Sequence, residues 1–168
     1  HPQKWTPEVD YEGKRVVVIG SGATAVTLVP AMAKKAAHVT MLQRSPTYVV
    51  ARPGRDPIAD WMRERLPAES AYSITRWKNV LLGMAFYAYC RNRPEGAKNL
   101  LVGQVKRYMG GHVDVDQHFT PTYKPWDQRV CLVPDGDRFR VLRKGKASVV
   151  TDHIETFEEN GIRVRSGK

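Results

Sequence analysis

The sequence predicts an α/β fold with a parallel sheet, and three observations carry that expectation. The run Arg15, Val16, Val17, Val18, Ile19 is apolar without alternation, as in a strand buried on both faces, and leads straight into Gly20-Ser21-Gly22. Residues 24–35 then read as a helix and residues 38–42 as a second strand, completing β-α-β in about thirty residues. Near the end, Asn160-Gly161 separates two strand-like runs, 154–158 and 162–165, which is a strong hairpin signal. The predicted architecture is Rossmann-like: a parallel sheet, a helical insertion over about residues 57–110 and a C-terminal β-hairpin.

Along the chain, Pro2 and Pro7 make residues 1–14 an extended lead-in, read as a linker ahead of one domain over 15–168. The helix over 24–35 carries Val26, Leu28, Val29 and Met32 around most of its girth, which suits burial against a sheet. Pro30 inside it removes one backbone bond and predicts a kink. Residues 47–56 read as a loop turning at Pro53-Gly54. Asp56 is placed as an N-cap with Pro57 at the first helical position, opening a helix to about residue 66. Two more helices are expected over 68–93 and 95–109, the second stopped by Gly110-Gly111. Residues 111–127 read as irregular and aromatic. A strand over 130–133, a short helix over 138–144 and a buried strand over 148–151 precede the hairpin.

Composition narrows the function classes. A chain of 168 residues that is 42% hydrophobic can bury one sizeable core. Its 27 Lys+Arg against 17 Asp+Glu leave a net charge of +10, which fits nucleic acid, an anionic membrane surface or a phosphate-bearing ligand. The basic residues are scattered and no RNA-binding, zinc-finger or basic-arm motif accompanies them, so no nucleic-acid partner is expected. Cys90 and Cys131 stand far apart in no C-x-x-C, and no signal peptide is visible, so a reduced, cytoplasmic setting is expected. The apolar stretch 80–90 is too short for a bilayer. With Arg76, Lys78, Arg91 and Arg93 flanking it, it fits packing on another helix or domain, and secondarily peripheral membrane contact. His112 and His118 have no third ligand at metal spacing, so no metal site is expected. The start at His1 and the open end at Arg165-Ser166-Gly167-Lys168 predict a domain cut from a longer polypeptide.

The chemistry sits at the glycine turn. Gly20, Ser21, Gly22, Ala23, Thr24 and Ala25 form G-x-G-x-x-A. Gly20 allows the turn, Gly22 lets the backbone approach a pyrophosphate, and Ala25 permits close helix–strand packing. A helix starting near Thr24 offers free N–H groups and a positive dipole end to phosphate. After the second strand the chain reads Gln43-Arg44-Ser45-Pro46, with no acid to hold a ribose 2′-hydroxyl. A guanidinium there pairs with a 2′-phosphate, so Arg44 and Ser45 predict NADP(H) over NAD. The alternative from a different class is a basic interaction module for nucleic acid or anionic membrane.

Three segments in order, Gly20 to Ala25, Gln43-Arg44-Ser45-Pro46 and Trp126-Asp127-Gln128-Arg129, resemble the NADPH domain of class B flavoprotein monooxygenases of the Baeyer–Villiger type. His1-x-x-x-Trp5 is similar to the tail of that family's fingerprint, with Thr6 in place of the final Pro or Asp. The resemblance implies an enzyme that uses NADPH, FAD and O2 to oxygenate ketones or sulfur compounds. It implies that Arg44 and Ser45 clamp the 2′-phosphate, and that Gln128 stands where many members carry a Lys. Arg129 matches the catalytic arginine that stabilises negative charge on the reacting flavin and positions the nicotinamide. His1 and Trp5 match interdomain positions. The family's FAD-binding G-x-G-x-x-G is absent, so the chain alone is expected to bind NADP(H) without turnover, its partner being the missing FAD-binding domain of the same polypeptide.

Overall fold

The structure, a computed structural model, describes residues 2–6 and 8–167. Its central sheet is parallel and three-stranded, in the order β1 (Arg15–Ile19), β2 (His38–Gln43), β5 (Ala147–Thr151). The second strand follows the first by way of helix α1 (Ala23–Met32) and pairs with it in parallel, so the predicted β-α-β unit is present. A second parallel pair joins β3 (Tyr48–Arg52) to β4 (Val130–Pro134). Parallel neighbours need a long crossover. Here it consists of α2 (Pro57–Arg65), α3 (Ala68–Asn92), α4 (Pro94–Met109) and the short α5 (Val115–Phe119). After α6 (Asp137–Arg143) and β5, the chain ends in the antiparallel hairpin of β6 (Ile154–Glu158) and β7 (Gly161–Val164).

One core serves both sheets. From α1 it takes Ala25, Val26, Val29 and Met32, and from β2 Val39 and Met41. Leu101, Val105 and Met109 of α4, Phe119 of α5 and Phe139 of α6 close it from the other side. Local chemistry sets the helix ends. Asp56 accepts from the Ala59 N–H at 3.2 Å with Pro57 behind it, as the sequence predicts for α2. Gly110, at φ +55°, closes α4 with its N–H on the Lys106 carbonyl.

Four expectations need correction. Residues 47–56 are not all loop, because Tyr48-Val49-Val50-Ala51 pairs with β4, a partner about eighty residues away that no local signal announces. The 24–35 helix stops at Met32: it passes through Pro30, and by Ala37 the N–H is already donating to the Lys14 carbonyl at the mouth of the sheet. The irregular stretch 111–127 contains α5, capped by the Asp114 carboxylate on the Gln117 N–H. Finally, β1 is an edge strand rather than one buried on both faces, with Val17 43% and Ile19 55% exposed. Helix α3 is similarly bare. Only Ala71 and Cys90 of its 25 residues are buried, and Trp77, Leu81 and Met84 face solvent. No helix among the described residues is long and apolar enough to cross a membrane.

Candidate nucleotide-binding site

In an open parallel sheet the strands' carboxyl ends form the natural ligand crevice. At those ends of β1, β2 and β5 lies a cleft of about 490 Å3, in the range that ligand pockets occupy. Gly20 and Ser21 form one wall, Arg44, Ser45 and Thr47 the second, and Asp152, His153 and Ile154 the third, with Gln128 reaching in.

The first wall is shaped by the glycine turn. Gly20 has φ +120°, a conformation L side chains rarely adopt, and its N–H donates to the Leu42 carbonyl at 2.8 Å, tying the turn to β2. Gly22 is the extended N-cap of α1 and offers no side-chain cap. The first helical bond runs from the Val26 N–H to the Gly22 carbonyl at 3.0 Å, so the N–H groups of Ala23, Thr24 and Ala25 have no helical acceptor. They form a positive dipole end suited to an anion. Ala25 is 5% exposed in the core, the close packing its small size permits. The Ser21 hydroxyl bonds Thr47 Oγ1 at 2.8 Å and so braces the first wall against the second.

The second wall hangs on Gln43, which is buried at the end of β2. Its Nε2 donates to the His118 carbonyl at 2.7 Å and to Thr151 Oγ1 at 2.8 Å, locking the strand just before it releases Arg44. Arg44 and Ser45 themselves are exposed. Beyond Thr47, the Tyr48 hydroxyl donates to the Tyr123 carbonyl at 2.7 Å, and burial pushes its pKa up to about 12, so that the donor keeps its proton.

Gln128 and Arg129 are presented by a segment that α3 holds. Trp126 takes φ +69°, rare for a bulky residue, and packs edge-on against Phe86 and Tyr87. Next to it, Asp127 pairs with Arg91 at 2.7 Å. Arg129 does not line the cleft but stands at its glycine wall: a Cβ on Gly22 would lie 3.7 Å from its Nη1. Trp5 is not part of the cleft lining; it packs edge-on against Tyr11, 44% exposed. His1 lies outside the described residues. Among the described residues no metal-holding group of His, Cys, Asp or Glu gathers.

Asp152, His153 and Ile154 escape sequence reasoning. Their signal is the β2·β5 register, in which Gln43 faces Thr151 and the Asp152 N–H donates to the Gln43 carbonyl at 2.9 Å. Whatever follows Thr151 must therefore leave the sheet beside Arg44. An acid thus stands near the crevice after all. Its oxygens are engaged elsewhere, one accepting from the His153 N–H at 2.6 Å and the other from the Ser166 N–H at 2.9 Å. The Ser166 side chain, then those two backbone bonds, hold its carboxyl below the usual 3.8.

No protein-family model matches the chain. Curated relatives do. The chain is 53% identical over its full length to the FAD-containing monooxygenase EthA of Mycobacterium tuberculosis and 52% identical to the probable FAD-binding monooxygenase AlmA of Acinetobacter baylyi. The chain is homologous to one segment of the FAD-containing monooxygenases. It spans about a third of these relatives, 35% of the first and 34% of the second. The fold agrees with monooxygenases at low identity. An oxidised steroid monooxygenase bound to NADP superposes with TM-score 0.68 over 98% of this chain and 38% of its own, at 21% identity. OTEMO in complex with FAD and NADP gives 0.67 over 96% of this chain and 37% of its own, at 16% identity.

Proposed function

We propose that this chain is the NADP(H)-binding portion of a flavin-dependent monooxygenase of the Baeyer–Villiger type. One observation carries the reading: Arg44 and Ser45 line the same cleft as the Gly20-Ser21 turn. A dinucleotide whose pyrophosphate rests on the N-terminus of α1 brings its adenosine ribose to the end of β2, where the guanidinium meets the 2′-phosphate. Gln128 contributes an amide to that pocket. Arg129, beside Gly22, is placed toward the pyrophosphate and nicotinamide side, where a permanent cation can stabilise negative charge.

In this reading residues 15–168 are the nucleotide-binding unit, with 57–110 as a helical insertion, and residues 1–14, including His1 and Trp5, link it to an FAD-binding domain. FAD would supply the oxygen chemistry on a ketone or sulfur substrate. The chain has no second dinucleotide turn for FAD, so alone it binds NADP(H) without turning over. The other reading of its charge, a nucleic-acid or anionic-membrane module, finds no support in the relatives or the cleft.

The test is calorimetric titration of the chain and of Arg44→Ala with NADP⁺ and NAD⁺. A lost charge-assisted bond is worth about 1.5–3 kcal/mol, so NADP⁺ affinity falls by about tenfold or more while NAD⁺ affinity moves little. An unchanged preference in the variant removes the assignment.

A further inference from the structure

Resting on the nucleotide reading above, a specificity role can be assigned to a residue on the third wall. We propose that His153 is a further donor to the 2′-phosphate and that it faces Arg44 and Ser45 across this group.

The argument starts in the sheet. The β2·β5 ladder runs in register to Gln43 and Thr151, and one further bond joins the Asp152 N–H to the Gln43 carbonyl. Beyond that bond the two chains part, Arg44 following β2 and His153 following β5. Both residues line the cleft, on adjoining walls and at the same strand ends. A group held at Arg44 therefore has His153 as its neighbour across the crevice. The imidazole is 153's only polar side-chain group, and in either protonation state it offers an N–H to a phosphate oxygen.

Asp152 positions His153 at this end of the cleft. Its carboxylate oxygens accept backbone N–H groups, from His153 at 2.6 Å and Ser166 at 2.9 Å, and the acid acts as a clasp. It joins the β5 exit to the end of the hairpin, where the Arg165 N–H also donates to the His153 carbonyl at 3.0 Å. His153 is thus held by its backbone on both sides, and the exposed residue lines the cleft. Asp152 is a positioning residue and His153 the contacting one.

The full 168-residue chain and its His153→Gln and Arg44→Ala variants are titrated with NADP⁺, NAD⁺ and 2′-AMP, with circular dichroism to verify folding. His153→Gln is expected to weaken NADP⁺ and 2′-AMP by about fivefold to tenfold and to leave NAD⁺ within twofold. If His153→Gln changes NADP⁺ and NAD⁺ equally, or neither, while Arg44→Ala still removes the preference, the inference is overturned and the nucleotide reading stands. If the parent chain has no preference for NADP⁺, the nucleotide reading itself fails and the inference fails with it.

Discussion

Arg138 departs furthest from what its residue type favours. It lies at the start of α6, 1% exposed, with its guanidinium 5.2 Å from the centre of the Phe119 ring and Nη2 donating to Met41 Sδ at 3.0 Å. Nε and Nη1 have no partner, and burial lowers its pKa to about 10. A thioether and a ring face offset little of the cost of desolvating a cation. Arg138→Met keeps the length and removes the buried charge, so the thermal midpoint is expected to hold or rise; a fall of more than a few degrees would show that the guanidinium stabilises the core. The nearby Cys131 thiol has its pKa raised by burial and is buried inside β4, a poor setting for a reactive cysteine. At the site, Gly20 was recognisable from sequence because a strand ending in Gly-x-Gly implies a turn. His153 was not, because its importance comes from a neighbour more than a hundred residues away.

At the scale of elements, local signals located the start of α2 and the end of α4, but not α5 despite its Asp114 cap. Helix α2 starts at Asp56, whose carboxylate caps Ala59 and also meets the Lys78 ammonium on α3, joining two helices through one side chain. Lys78 first, and then the Ala59 N–H, hold the Asp56 carboxyl below its usual 3.8. A depressed carboxyl stabilises the fold above its unfolded pKa and loses that contribution as pH falls through its folded value. Asp56→Ala is therefore expected to melt earlier than the parent at pH 6. The gap between their thermal midpoints should close as pH drops from about 4 through the lowered value, and a gap independent of pH would contradict the ion pair and cap. Strands were less legible than helices. β3 looked like a loop because a five-residue strand has no meaning until its partner is known, and β1 looked buried because its apolar residues do not say which faces the tertiary fold covers. The apolar exposed side of α3 has the same ambiguity, since a stripe of Trp77, Leu81 and Met84 reads alike whether it is covered or bare.

For the whole molecule, the cleft draws on β1, β2, the β5–β6 connection and the 126–129 segment at once, so a ligand seated there ties together parts of the chain far apart in sequence. Binding to the folded state alone stabilises by about 2.7 kcal/mol at one hundred times the dissociation constant. For a domain of this size, NADP⁺ at that level is expected to raise the midpoint by about 5–10 °C. Differential scanning fluorimetry with NADP⁺ and NAD⁺ at equal concentration checks it. An equal shift for both nucleotides would show that the 2′-phosphate is not read.

The sequence by itself determined the β-α-β turn, the start of α2, the stop of α4 and the hairpin, and it named Gly20 through Ala25, Arg44 and Ser45 as candidate nucleotide residues. Each of these follows from backbone freedom, capping or charge within a few residues along the chain. Only the tertiary structure decided that β3 pairs with β4, that Arg129 stands beside Gly22, and that Asp152 is a clasp that delivers His153 to the cleft. Those facts depend on which distant strands lie side by side and in what register, and that is settled by the packing of the whole core rather than by any local segment.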